Sequence, residues 1–202
     1  MIFFILASFL IFAGLITIII RKDNSTQENA ENNFWDKEHK SNFVRKKSLE
    51  HLQYITIPEH ILTMKPTNPS KQILSYLDEL NELSCYKIVN LTGISNTDLK
   101  LTYGTANITA LSEYDFHYTR MVTLLQSLAE SLVASGDKEL ALHVLEFSVS
   151  TGSDVSKTYY LLAELYQETG TPEKIHFLIQ QAESIPSLMR NSILRNLKAS
   201  GQ

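Results

Sequence analysis

Six histidines, one cysteine and a tyrosine-rich stretch are the groups in this chain that could do covalent or metal chemistry. His39, His51, His60, His117, His143 and His176 are scattered. None forms the close helical pair of a His-Glu-x-x-His motif, which sets two imidazoles on one helix face around zinc. His143 and His176 read as packing or surface residues. Cys85 stands alone, so an internal disulfide is impossible; it reads as a small apolar helix residue in a reducing compartment. Tyr114, Asp115, His117 and Tyr118 cluster in sequence, and a helix-start role for Asp115 explains them without catalysis. There is no Gly-rich phosphate loop. The residue types and spacings predict no enzyme, no cofactor and no metal site.

Charge is the other chemical resource. From Arg21 to Lys71 there are nine Lys/Arg against seven Asp/Glu; from Gln72 to Gln202 there are nine against fifteen. Arg21, Lys22, Arg45, Lys46 and Lys47 form a basic bias that suits an anionic lipid surface, whereas the acidic distal part argues against nucleic-acid binding.

Those cations follow an apolar stretch. Residues 1–20 carry no charged side chain, and Arg21-Lys22 come next. Twenty helical residues span about 30 Å, the thickness of a bilayer's hydrocarbon core. A cleaved signal would begin with basic residues, run shorter and end in a small-residue cleavage site. The stretch reads as a transmembrane anchor instead. All nearby basic residues follow it, so the expected topology is amino terminus outside and carboxyl-terminal domain cytoplasmic. The sequons at Asn24, Asn90 and Asn107 read as chance in a chain rich in Asn, Ser and Thr.

Residues 21–69 read as a juxtamembrane tether and extended segment. Asp23 to Asn33 is polar without an apolar period. Phe43, Val44, Leu49 and Leu52 would share one face of a helix, beside Arg45-Lys46-Lys47. That face either lies on the membrane or packs on the domain, with the lysines solvated; the second reading is preferred. Residues 54–57 look extended, with Pro58 ending any helix. Residues 70–202 read as a helical domain. Ser70 or Asn68 caps a helix carrying Ile73, Leu74, Leu77, Leu80 and Leu83 at helical spacing. Ser95 starts a short one that stops at Gly104, and Ser112 starts a longer one running to Ser135-Gly136. Ser187 to Ala199 reads as a last helix with Leu188, Ile193, Leu194 and Leu197 inward. The expected fold class is all-α.

Residues 122–155 align with 156–189 at an offset of 34 residues. Leu125 falls on Tyr159, Leu128-Ala129 on Leu162-Ala163, Leu132 on Tyr166, Gly136 on Gly170, Ala141 on Ile175, Leu145 on Ile179 and Ser148 on Ala182. This period and pattern resemble the tetratricopeptide repeat family, in which each repeat is a pair of antiparallel helices. Asp137 is expected to cap the second helix of the first copy, and Pro172 to stand at the first helical position in the second. The resemblance implies a partner-binding face on the first helices: Thr123, Gln126, Ser127 and Glu130, then Lys157, Tyr160, Glu164 and Gln167. Glu130 and Glu164 would repel a peptide carboxylate, so a basic or polar extended partner is expected. Phe34-Trp35, Val44 to Leu49, Tyr54 to Pro58 and Asn96 to Lys100 also look similar to a group of membrane-anchored proteins of Gram-positive bacteria, a resemblance that brings no activity with it.

The sequence therefore predicts a membrane-anchored adaptor for a protein or peptide partner. A structural subunit of a larger membrane complex and a lipid-surface module are the alternatives.

Overall fold

Capping serines start two of the helices in the computed structural model, which describes Lys22 and residues 31–200. The expected anchor at 1–20, and residues 21 and 23–30 of the tether, lie outside the described residues. Among the described residues there is no strand, and no helix is long and apolar enough to cross a membrane. The helices are α1 (31–42), α2 (Glu59–Leu62), α3 (Lys71–Leu83), α4 (Asn96–Tyr103), α5 (Ile108–Ser135), α6 (Lys138–Ser150), α7 (Ser156–Glu168), α8 (Lys174–Glu183) and α9 (Arg190–Ser200). A short 3-10 turn, Thr105–Asn107, precedes α5.

The described chain divides into two units. The first comprises α1 and the chain to Lys47 with Ser95–Ile108. Here Ser95 accepts a hydrogen bond from the Asp98 amide, and Gly104 ends α4 at φ +88°. The chain after α1 is not the expected amphipathic helix: 44–49 is irregular, and Phe43 is 74 % exposed. Its backbone is claimed elsewhere. The Lys47 amide donates to Tyr103 O at 3.0 Å, and Asn107 Nδ2 donates to Lys47 O at 2.8 Å. A Cβ on Gly104 would run into the Arg45 carbonyl. α1 itself docks through polar groups, Glu38 meeting Thr97 and Lys100.

The second unit comprises Ser48–Ile94 and the chain from Thr109. Residues 54–57, expected to be extended, lie in neither helix nor strand, with the Ile55 amide bonded to Ile88 O at 2.9 Å. Pro58 then opens α2 rather than closing a helix. Ser70 caps α3, accepting from the Ile73 amide, and Ile73, Leu77, Leu80 and Leu83 are buried on one face, whereas Leu74 of the expected apolar set is exposed. α5 begins four residues earlier than Ser112, at Ile108.

Across α5 to α8, positions 34 residues apart have matching surroundings. Leu125 and Tyr159, Leu128 and Leu162, Ala129 and Ala163, Leu132 and Tyr166, Ala141 and Ile175, and Ser148 and Ala182 are all buried. Ile179 is half-buried where Leu145 is buried. Gly136 and Gly170 both take positive φ, +91° and +72°. Small side chains at Ala129 and Ala163 permit close helix approach. The period continues: α9 starts 34 residues after α7, Ile193 and Leu197 are buried, and α9 packs on α7 and α8.

Three local expectations need correction. Asp137 precedes α6 but makes no side-chain cap bond; its carboxylate accepts instead from the Thr67 amide and hydroxyl, the latter at 2.6 Å. Pro172 lies in a turn ahead of α8, which starts at Lys174. Leu188 is 99 % exposed, because the last helix starts only at Arg190.

Candidate functional site

The first-helix face is built by the second half of α5 together with α7. Gln126 and Thr158 are both buried. The Thr158 hydroxyl donates to Gln126 Oε1 at 2.8 Å, and Gln126 Nε2 donates to Glu130 Oε1 at 2.9 Å. Gln126 is thus spent on joining α5 to α7, a correction to its expected role as a partner-facing group. Lys157 Nζ lies 3.9 Å from the same Glu130 oxygen. Glu130, Lys157, Glu164 and Gln167 are exposed, as is Thr123; Ser127 and Tyr160 are half-buried. The Tyr160 hydroxyl lies 3.3 Å from Ser192 Oγ on α9. The two expected carboxylates therefore differ: Glu130 is shared by Gln126 and Lys157, while Glu164 meets no cation among the described residues.

A cleft of about 370 Å³ lies between α6, α7 and α8, lined by Val149, Leu162, Tyr166, Phe177 and Leu178 with Glu146 and Lys174. The Tyr166 hydroxyl donates to Glu146 Oε1 at 2.8 Å, Lys174 Nζ reaches that oxygen at 3.2 Å, and the ammonium sits 5.1 Å from the Tyr166 ring centre. Burial, and then Glu146, push the Tyr166 phenol up, so it stays a proton donor. The three polar groups satisfy one another, which leaves a pocket for apolar atoms. Sequence reasoning missed it because its polar groups come from three helices with no shared spacing.

The other candidates are consumed by the fold. Asp115 lies within α5 and accepts from the Leu91 amide at 3.1 Å, so it does not start a helix. Tyr118 is buried, with its phenol pushed up to about 12 by that burial. His117 Nδ1 lies 2.9 Å from Lys87 O. His60 and His143 come together, ring centres 6.1 Å apart, yet no group of His, Cys, Asp or Glu among the described residues is placed to hold a metal. Cys85 is exposed in the turn after α3 rather than within a helix.

Two sequons have structural roles. Asn90 Nδ2 lies within hydrogen-bond reach of Tyr118 Oη and the carbonyls of Thr151 and Gly152. Asn107 is 2 % exposed, its amide bonded to the carbonyls of Lys47 and Tyr103. Asn24 lies outside the described residues.

Of the basic group, Arg21 is outside the described residues, and Lys22, Arg45, Lys46 and Lys47 are exposed. Lys47 Nζ donates to Leu101 O at 3.2 Å.

Comparison with known families, with curated proteins and with solved structures yields no match to this chain. The class defined by fold and site is accordingly a coarse one: an all-helical protein.

Proposed function

We propose that this chain is a membrane-anchored interaction adaptor. Residues 1–20 cross the bilayer, the amino terminus lies outside, and a tetratricopeptide-like domain in the cytoplasm offers its first-helix face to a protein or peptide. The observation that carries this reading is the recurrence of matching burial at 34-residue intervals from α5 to the start of α9. Stacked helical pairs expose a continuous first-helix surface, and such surfaces hold extended partners. Glu164, which pairs with no cation among the described residues and stands near the Lys157–Glu130 pair, selects a cationic or hydrogen-bond-donating group on that partner. The reading gives no catalytic role to the cluster that the sequence offered: Asp115 and His117 bond to backbone groups, and Tyr118 is buried.

Charge reversal tests the face. Glu130→Lys with Glu164→Lys in the full chain should release the co-purifying partner while leaving the helical dichroism unchanged. Retention of the same partner at the same level contradicts the assignment. A topology reporter fused after Gln202 tests orientation, and an extracytoplasmic signal contradicts it.

A further inference from the structure

The helix α1 is amphipathic in an unusual sense, with a polar inner edge and an aromatic outer one. Its inner edge is buried Ser41 beside Glu38, which meets Thr97 and Lys100. Trp35 and His39 lie four residues apart in α1, away from that edge, where such side chains share a face, and Phe43 in the turn just after α1 continues the row. Trp35 is 59 % and Phe43 74 % exposed. The His39 and Phe43 rings lie 5.0 Å apart, and Phe34 meets Trp35 edge-on at 5.4 Å. Large exposed aromatics in a row mark a surface that something covers.

The charges beside the stripe indicate what does. Glu38 is taken by Lys100, and Asp98 by Lys37 at 2.6 Å. Glu31 lies 3.4 Å from the Trp35 indole nitrogen, and Asp36 is exposed. Lys40, Arg45 and Lys46 are exposed and have no acidic partner among the described residues. The internal pairs thus leave a cationic margin around Phe43. Trp35 also follows Ile20, the last residue of the uncharged stretch, by fifteen positions, a chain reach of at most about 50 Å. Tryptophan and phenylalanine flanked by Lys and Arg are the residue set that settles at a lipid headgroup boundary.

We propose that the Trp35–His39–Phe43 stripe rests in the headgroup region of an anionic bilayer, with Lys40, Arg45 and Lys46 over its phosphates. This rests on the reading of residues 1–20 as an anchor. It replaces the segment from Phe43 to Leu52, expected from sequence as the alternative surface helix, with a different face.

Trp35 is the sole tryptophan, so its emission reports this helix alone. The full chain is reconstituted into vesicles of equal parts phosphatidylcholine and phosphatidylglycerol, with and without lipids brominated near the headgroup end of the acyl chain. The expected result is blue-shifted emission, quenched by the brominated lipids and shielded from aqueous acrylamide. Phe43→Glu, which removes no buried contact, should cut the bromine quenching severalfold. A chain that resists alkaline carbonate but keeps a water-exposed Trp35 overturns the stripe and leaves the anchor standing. Extraction by carbonate overturns both. Shielding from acrylamide without bromine quenching means that protein covers the stripe, and overturns it. Equal quenching in phosphatidylcholine alone overturns the anionic assignment.

Discussion

The two units solve the problem of holding helices together with different chemistry. In the unit of 31–47 and Ser95–Ile108, the buried residues apart from Gly104 are Ser41, Thr97, Leu99 and Asn107, and the contacts are ion pairs and hydrogen bonds. In the unit of Ser48–Ile94 and the chain from Thr109, a continuous apolar cluster runs from Ile57 to Leu197. Apolar burial is non-directional and indifferent to mild acid or salt. Exposed ion pairs are weak and depend on both. The difference teaches that one chain carries a durable repeat core and a conditional clasp, and that the two should fail under different stresses.

Truncations in the apolar core should cost most. Leu128→Ala and Leu162→Ala remove buried side chains at equivalent positions and should each cost about 2–5 kcal/mol in chemical denaturation. A much smaller cost at one of them breaks the equivalence of the two copies. Glycines sharpen the contrast next. Gly136→Ala places a side chain at φ +91° in open space and should cost about 1–2 kcal/mol from the backbone alone. Gly104→Ala at a similar φ also meets the Arg45 carbonyl, so it should cost more and expose the Lys47 amide to hydrogen exchange.

Acid separates the units without mutation. Lys100 and then Thr97 hold the Glu38 carboxyl below its ordinary value, and Lys37 and then Ser95 do the same for Asp98. A depressed folded pKa stabilises above the ordinary carboxylate range, and that contribution is lost as pH falls through the folded value. The Lys47 and Thr105 amides should therefore lose exchange protection below the ordinary carboxylate range while those of α7 keep theirs. Asp137, held down by Thr67, should release the Thr67 loop over the same window without opening the core. Simultaneous loss in α1 and α7 contradicts the division. The smallest effect is expected at Ser148, whose buried hydroxyl has no partner among the described residues where the second copy has Ala182. Ser148→Ala should stabilise by about 1 kcal/mol in denaturant titration.

The sequence was most legible where a few adjacent residues decide the outcome. Ser70, Ser95 and Gly104 stand where their capping chemistry predicts, because an N-cap hydrogen bond and a positive φ are local events. The all-α class and the buried positions of α5 and α7 were readable from apolar period. α1 was not, because its inner edge is polar and its partners Thr97 and Lys100 lie about sixty residues away. Asp137 had the right type for a cap, but Thr67 outcompeted the α6 amides for it. Gln126 sat at the right register for a partner face, and only the position of Thr158 shows that its amide is taken.

The most direct measurement of the central claim is photo-crosslinking in intact membranes, with a photoreactive residue placed in turn at Gln167 on α7 and at Gln180 on α8, both exposed. The account predicts a discrete adduct from Gln167 that disappears with Glu130→Lys, and none from Gln180. Equal adducts from both positions, or an adduct from Gln180 alone, would contradict a partner-binding face on the first helices.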